Sequence, residues 1–297
     1  MRTASLARSI SVCLRDDARA CVRYAAWLTI AACLCLAACT HDAAPGVATS
    51  GAAATNPSAD GGSARAQFPP DKEGELAWQG YLIFTQTPRY ARIYTGNALS
   101  CANCHLDNGR KADSAPMWGA FGMYPAYQAK FDRVVTLQER IQQCFQFSEN
   151  GIAPPLDSNE IRALTMYFQS LSRGRPVGVQ QPGRGFPVVG RTGADPAPLR
   201  GKALFAQRCA MCHGVNGQGQ KDPSGSYVFP PLWGNQSFNK GAGMHRIDLL
   251  AGFLKANMPY GNPNLTDQEA LDLAAWVDTQ ERPADPRKGL LTGLLER

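Results

Sequence analysis

The sequence lacks the features that would assign it to a membrane-spanning, nucleic-acid-binding or β-sheet protein. Its longest apolar run, Ala25–Ala38, is interrupted only by Thr29 and is too short to span a bilayer as a mature helix. Charged residues make up 18% of the chain, and residues 1–39 account for half of the formal net charge of +6, so no basic surface for nucleic acid is indicated. Alternating strand patterns are few. The composition is that of a globular protein, and its 297 residues suit two domains.

Histidine is scarce, with 4 copies, and two of them end a repeated cysteine motif. Residues 101–105 read C-A-N-C-H and residues 209–213 read C-A-M-C-H. C-x-x-C-H is the attachment signature of c-type haem, because its two thiols can bind the two vinyl groups of one porphyrin while the histidine is held under the iron. We therefore predict two covalently bound haems c, attached through Cys101, Cys104, Cys209 and Cys212, with His105 and His213 as axial ligands.

The alternative for two C-x-x-C motifs is a zinc-binding or redox-active pair of hairpins. A zinc ribbon places its second C-x-x-C about 15–20 residues after the first. Here Cys104 and Cys209 are 105 positions apart. The spacing therefore favours a dihaem cytochrome c.

Residues 1–39 resemble a bacterial lipoprotein signal peptide. Arginines precede the apolar run, which ends L-A-A-C at residues 36–39. We predict cleavage before Cys39 and lipid attachment to its sulfur, which would anchor a periplasmic protein to a bacterial membrane. Thr40 stands where an inner-membrane retention signal has Asp, which favours the outer membrane. Ordinary secretory cleavage after Ala38 is the alternative.

The rest of the chain divides by composition. Residues 40–68 contain almost no large apolar residue and are predicted to form a flexible tether. Two globular units, 69–172 and 199–297, are joined by a linker, 173–198, whose Gly and Pro residues interrupt any periodic apolar pattern. Each unit repeats a helix, a haem motif, a loop and a closing helix. The repeat predicts a mainly α protein of two tandem cytochrome c domains, each a few helices wrapped around a covalent haem.

Apolar periodicity and capping residues place the helices of both units. The predicted helices cover Gly74–Thr87 (ended by Pro88), Thr136–Phe147, a segment opened by Asp157 with Glu160, Leu199–Arg208, Ile247–Ala256 and a last segment capped by Thr266 with Glu269. The loop Pro116–Tyr127, rich in Gly, Pro and aromatic residues, is predicted to wrap the first haem.

Each iron needs a second axial ligand or an open position. In the second unit, Met258 lies 45 residues after His213 and directly before Pro259, which is the usual distal arrangement of small cytochromes c. Met244 and His245 are the rival ligands. We predict Met258, whose thioether would raise the potential of the iron.

In the first unit, Cys144 is the only thiol after the signal segment that no haem motif uses. It lies 39 residues after His105, close to the Met258 offset, and on the apolar face of a predicted helix. Met117, Met123 and Met166 are the other candidates, and a buried thiol that serves only as a small apolar side chain is the alternative. The domain repeat favours Cys144, whose thiolate would lower the potential of the iron.

With these residues placed, the chain resembles the dihaem thiosulfate dehydrogenases, the TsdA family, and more distantly the SoxA cytochromes. The resemblance is carried by C-A-N-C-H-L at 101–106, Y-P-A-Y at 124–127, E-R-I-Q-Q-C at 139–144, N-G at 150–151, G-R-G-F-P at 183–187 and K-A-N-M-P at 255–259. It implies oxidation of two thiosulfates to tetrathionate, or the reverse, at a haem held by His105 and Cys144. Electrons would then pass through a second haem, held by His213 and Met258, to or from a partner cytochrome.

The chain departs from this family in its basic residues. Members commonly have one shortly after the distal Cys, whereas Phe145, Gln146 and Phe147 follow it here. Thiosulfate is a dianion, so its pocket should offer cationic donors. Arg110, Lys111, Arg133 and Arg140 are the candidates, and we predict catalytic roles for Cys144, Arg140 and Arg110. A solvated or propionate-paired Arg140 is the alternative.

The resemblance leaves other functions open. A non-catalytic electron carrier that serves a partner periplasmic dehydrogenase would have the same haem motifs. A sulfur-carrier partner like the SoxA cytochromes is the third hypothesis. Cys144 separates the first two, because a carrier has no need of a thiolate at a low-potential haem.

Overall fold

The computed structural model of the protein describes residues 61–190, 192–223 and 225–287. The helices are α1 (Gly61–Arg65), α2 (Lys72–Thr85), α3 (Thr87–Tyr90), α4 (Leu106–Gly109), α5 (Leu137–Gln143), α6 (Asn159–Leu171), α7 (Pro198–Arg208), α8 (Ala210–His213), α9 (Ile247–Asn257) and α10 (Asp267–Asp278). Short 3-10 turns cover Arg92–Tyr94, Cys101–Asn103, Met117–Gly119, Phe121–Met123 and Gly243–His245, and a π-helix covers Cys144–Ser148. The predicted signal peptide and most of the predicted tether lie outside the described residues.

Strands are short and few among the described residues, as the sequence predicts. Strands β1 (Ala126–Gln128) and β2 (Arg133–Val135) form an antiparallel hairpin, and β3 (Gln220–Lys221) and β4 (Tyr227–Phe229) form another. The prediction of a mainly helical fold is confirmed.

The first half is built on a close crossing of α2 and α6. At the crossing Gly80 has no room for a side chain, because a Cβ there would lie 2.1 Å from the carbonyl oxygen of Ala163. Phe84 and Tyr167 pack edge to face at the centre, with ring centroids 5.5 Å apart, and both side chains are fully buried. Phe68, at the end of the predicted tether, joins this core, so the first globular half begins a few residues earlier than the sequence pattern indicates.

The second half repeats the same crossing with α7 and α10. Gly201 takes the position of Gly80, since a Cβ on it would lie 2.0 Å from the carbonyl oxygen of Asp272. Phe205 and Leu273 are buried in the second core. Two halves that each contain a haem motif are thus built on one helix-pair geometry, as the predicted duplication requires.

Most helix ends fall where the capping chemistry predicts, with three differences. The boxes Thr136–Glu139 and Thr266–Glu269 are both formed. Helix α2 ends at Thr85, and Pro88 lies inside the next short helix rather than ending the first. Ser158, not Asp157, caps α6 through a bond to the amide of Ile161. The predicted helix Thr136–Phe147 is α-helical only to Gln143 and continues as the π-helix.

Three buried asparagines join the two halves into one compact unit. The amide of Asn97 donates to the Ser237 carbonyl at 3.0 Å, that of Asn239 to the Gln146 carbonyl at 2.8 Å, and that of Asn257 to the Asp113 carbonyl at 3.0 Å. None of the helices in the described part of the chain is long and apolar enough to cross a membrane.

Candidate functional site

The His105 imidazole is held with one nitrogen free for a metal. Its Nδ1 lies 2.7 Å from the carbonyl oxygen of Ala115. Because a carbonyl can only accept, Nδ1 carries the proton and Nε2 keeps its lone pair. Burial lowers the pKa of His105 to about 4, so the ring stays neutral at physiological pH. A neutral imidazole oriented by a backbone carbonyl is the usual arrangement of an iron or zinc ligand.

The loop that orients His105 is held by the segment between the two halves. Ala115 has a φ of 48°, in the left-handed region that few side chains adopt, so its conformation needs support from its surroundings. The amides of Asp113 and Ala115 donate to the carbonyls of Gly183 and Gly185, both at 2.8 Å. The G-R-G-F-P segment at 183–187 therefore braces the proximal side of the first motif.

His213 repeats this arrangement in the second half. Its Nδ1 lies 3.1 Å from the carbonyl oxygen of Pro230, and burial lowers its pKa. Both motif histidines thus present Nε2 as the free nitrogen. None of the four motif cysteines forms a disulfide in the described part of the chain, so their sulfurs remain available for thioether bonds. Paired thiols beside an oriented histidine fit haem attachment at both places.

Cys144 opens the π-helix that directly follows α5. The capping box at Thr136 fixes the start of α5, and the guanidinium of Arg140 reaches forward one turn, so that Nη1 lies 3.3 Å from Cys144 Sγ. Cys144 is the largest influence that raises the pKa of Arg140, and the Tyr124 hydroxyl adds to it. Single π-helical turns occur often at functional sites.

Cys144 and Arg140 lie close enough to the first haem motif to influence its titratable groups. An ionised Cys144 would help to raise the pKa of Cys101 and of Cys104, although burial and Glu149 contribute more. Arg140 in turn contributes to the low pKa of His105. The distal cysteine, its arginine and the first motif therefore surround one site.

The other predicted cations lie elsewhere. Arg110 donates to Gln67 at 3.0 Å and lies 3.5 Å from the Tyr167 hydroxyl, on the outer side of the first core. Arg133 pairs with Glu139, and the ammonium of Lys111 lies 5.9 Å from the ring of Tyr260. The structure records no contact of Arg110 with Cys144 among the described residues, so its catalytic role stays a prediction.

Two cations beside Phe147, three residues after Cys144, were missed by sequence reasoning. The ammonium of Lys130, in the turn between β1 and β2, lies 3.7 Å from the ring centroid of Phe147. The guanidinium of Arg287 lies 5.3 Å from the same centroid. No sequence signal links Lys130 with Arg287, because they meet only through the contact between the two halves.

The candidate ligands of the second site differ in their surroundings. Met258 directly follows α9 and packs against the second core. Met244 is buried in that core, and His245 Nδ1 lies 2.8 Å from Asp278 Oδ1. In the first half, Met117 and Met166 belong to the apolar core and its edge. Met123 ends the 3-10 turn Phe121–Met123. Met258 and Cys144 stay the predicted distal ligands.

Comparisons with known proteins identify the families of both halves. Residues 89–177 match the SoxA/TsdA cytochrome c domain family, and residues 199–281 match the cytochrome c family. The thiosulfate dehydrogenase of Stutzerimonas stutzeri is 51% identical over 231 residues, which are 77% of this chain and 74% of that protein. The thiosulfate dehydrogenase of Thiomonas intermedia is 48% identical over 221 residues, 74% of this chain and 70% of that protein.

A solved structure is also similar, that of the thiosulfate dehydrogenase TsdBA from Marichromatium purpuratum in its as-isolated form. It superposes with a TM-score of 0.73 and 43% identity and covers 78% of this chain, which spans 52% of that longer chain. Two cytochrome c halves with one haem motif each define a dihaem cytochrome c, and the protein carries two haems c. Within that class, the chain belongs to the thiosulfate dehydrogenase family.

Proposed function

We propose that this protein oxidises thiosulfate to tetrathionate at a haem held by His105 and Cys144 and releases the electrons through a haem held by His213 and Met258. The names of its relatives supply the substrate. The observation that carries the proposal is the 3.3 Å contact between Arg140 Nη1 and Cys144 Sγ, which gives the distal sulfur a cationic neighbour. An electron carrier has no use for this arrangement.

The reaction joins two dianions. Each thiosulfate gives up one electron, a bond forms between the two terminal sulfurs, and tetrathionate keeps a charge of −2, with no proton gained or lost. When bound, the haems accept these electrons singly and pass them to a partner cytochrome. The work of the polypeptide is to hold the terminal sulfur of thiosulfate near Cys144 and to offset negative charge there.

Arg140 suits both tasks. A guanidinium has five N–H donors in a fixed fork and remains charged throughout the physiological pH range. One of them points to Cys144 Sγ at 3.3 Å, and Tyr124 also hydrogen-bonds this side chain. The fork offers further N–H donors that could bind an oxygen of the substrate beside the sulfur. Arg140 therefore positions the sulfur and recognises the anion.

The cellular location belongs to the same proposal. We propose a periplasmic protein anchored by lipid on Cys39, with the outer membrane favoured by Thr40. The support is the sequence of residues 1–39, which lie outside the described residues.

Replacement of Cys144 by Met tests the function. The change should leave both haems attached and raise the potential of the first, because a neutral thioether stabilises ferrous iron better than a thiolate does. Nearly all thiosulfate turnover with ferricyanide as acceptor should be lost. Electron paramagnetic resonance of the oxidised protein reports the ligation, and steady-state kinetics report the activity.

The matched variant is Met258→Gly, which should slow electron exit and leave a low-spin His/thiolate signal. Wild-type turnover in Cys144→Met would assign the protein to the electron carriers. A wild-type spectrum without a His/thiolate component would contradict the ligation itself.

A further inference from the structure

Three cations lie along the π-helix that begins at Cys144: Arg140 beside the sulfur, and Lys130 and Arg287 beside the ring of Phe147, three residues further on. Arg140 lies nearest, with Nη1 3.3 Å from the sulfur. The ammonium of Lys130 lies over the face of Phe147 and donates to the carbonyl of Gly241. The guanidinium of Arg287 lies over the same ring at 5.3 Å and over Phe131 at 5.6 Å.

The negatively charged groups around these three cations do not balance their positive charge. Arg287 is held by Asp285, with Nε 3.0 Å from Oδ1, and Arg140 faces Cys144. Lys130 has a carbonyl and an aromatic face as its partners. Burial, followed by Arg287 and Arg140, lowers the pKa of Lys130 to about 8, and Asp285 and Cys144 offset only part of this shift. Like charges held this close repel each other unless an anion binds between them.

The cluster is assembled from both halves of the chain. Lys130 belongs to the hairpin of the first half, whereas Arg287 follows α10 at the end of the second. Gly241, also from the second half, fits tightly: a Cβ there would lie 2.6 Å from Phe147 Cδ1 and 2.8 Å from Asp285 Oδ1. The second half therefore closes over Phe147 and brings Arg287 to this ring, three residues after Cys144 of the first half.

The charge of the substrate calls for more than Arg140. Two thiosulfates bring four negative charges to one sulfur, and a single guanidinium offsets one of them. The basic residue expected shortly after Cys144 is absent, and Phe147 stands there instead. Lys130 returns a positive charge to that position by lying on the Phe147 ring.

We propose that Lys130 and Arg287 form a cationic rim that binds the oxyanion end of a doubly charged sulfur substrate above Cys144. This inference rests on the proposed function for the identity of the substrate. The rim would bind the sulfonate oxygens and leave the terminal sulfur directed towards Cys144 and Arg140. It would also make the first site dependent on the second half, apart from any electron transfer between them.

The test uses the holoprotein with Lys130→Met, Lys130→Arg, Arg287→Met and Arg287→Lys. Lys202→Met is the matched control, because its ammonium also lies over an aromatic ring, 5.4 Å from Trp276, but outside this cluster. Two quantities are measured: the KM for thiosulfate, and the Kd for sulfate, an unreactive dianion, by calorimetry. Haem content and spectra show that each variant is folded and loaded.

Either methionine variant at the rim should raise both constants about tenfold, as expected for loss of one charge-assisted contact. The Arg and Lys exchanges should keep both constants within about twofold of wild type, because the charge is retained. In the wild type, KM should rise as the pH passes about 8 and Lys130 loses its proton. Lys130→Arg should remove that rise.

If both methionine variants keep the wild-type KM and sulfate Kd, the proposed role of the rim is wrong. A tenfold rise of both constants in Lys202→Met would also contradict the rim, because the effect would then come from the net charge of the protein and not from a local contact. Failure of the proposed function gives a different result: no thiosulfate turnover by the wild type, with a sulfate Kd that still depends on Lys130 and Arg287. That outcome would support the anion site and contradict only the identification of thiosulfate as the substrate.

Discussion

Glu149 is a buried carboxyl at the end of the π-helix, with its side chain only 2% exposed. Its Oε1 lies 4.0 Å from Cys101 Sγ, and its Oε2 has no hydrogen-bond partner among the described residues. Burial raises its pKa well above the ordinary value. The folded protein therefore binds a proton that the unfolded chain releases above pH about 4.3, so this group lowers stability as the pH rises.

We expect Glu149→Gln to stabilise the protein at neutral pH, because the amide reproduces the protonated acid without the cost of holding its proton. Above the unfolded pKa the gain in the free energy of unfolding should grow by at most about 1.4 kcal/mol per pH unit, and it should vanish near pH 4. Thermal unfolding of both proteins from pH 4 to 8 measures it. An equal difference in stability at every pH would contradict the buried, protonated carboxyl.

The residues that could be placed from the sequence are those whose positions depend on nearby residues in the chain. The motif histidines, Arg140 one turn before Cys144, and Cys144 itself could be placed because each depends on a short spacing or on one helix face. Lys130 and Arg287 could not, because their positions depend on a contact between segments more than 150 residues apart. The same holds for the Ala115 carbonyl that orients His105, whose loop is held by Gly183 and Gly185.

The element that carries Cys144 lies between the two cores. Phe145 is buried in the first core and Phe147 in the second. In an α-helix these two positions would point about 200° apart, so one apolar face cannot contain both. The periodicity indicated a continuous helix to Phe147 because it counted only the face towards the first core. The second core is formed by remote segments, and the backbone changes to a π-helix where both cores must be filled.

At the scale of the secondary-structure element, the capping box of α5 should position Cys144. Thr136→Ala removes a side chain that accepts from the amide of Glu139 and should lower the free energy of unfolding by about 1 kcal/mol. Because α5 leads into Cys144, the change should also alter the haem spectrum of the first site or raise the KM for thiosulfate.

The second half offers a matched control, since Thr266 caps α10 in the same box with Glu269. Thr266→Ala should cost similar stability and leave the first site unchanged. Thermal unfolding and electron paramagnetic resonance of both variants separate the two effects. If Thr136→Ala changes neither the spectrum of the first site nor the KM, or if both variants change them equally, the capping box does not position Cys144.

At the scale of the whole molecule, polar contacts between the two halves lie near both haem sites. Asn257 precedes Met258 and donates both to the Phe253 carbonyl of its own helix and to the Asp113 carbonyl, each at 3.0 Å. Asp113 lies two residues before Ala115, the residue that orients His105. One buried amide thus links the distal segment of the second site to the proximal loop of the first.

We therefore expect Asn257→Leu to affect the whole molecule. Leucine has the same branched shape, with two bulkier methyl groups in place of the amide oxygen and nitrogen. It leaves the Asp113 carbonyl without its donor, which should cost about 1–3 kcal/mol of unfolding free energy. Because the halves are coupled, the loss should appear as one shifted transition together with altered haem signals from both sites. Asn159→Ala is the control: its amide bonds Gln79 at the surface of the first half, and it should change stability by less than about 0.5 kcal/mol. Two separate transitions, or a change confined to the second haem, would contradict coupling through Asn257.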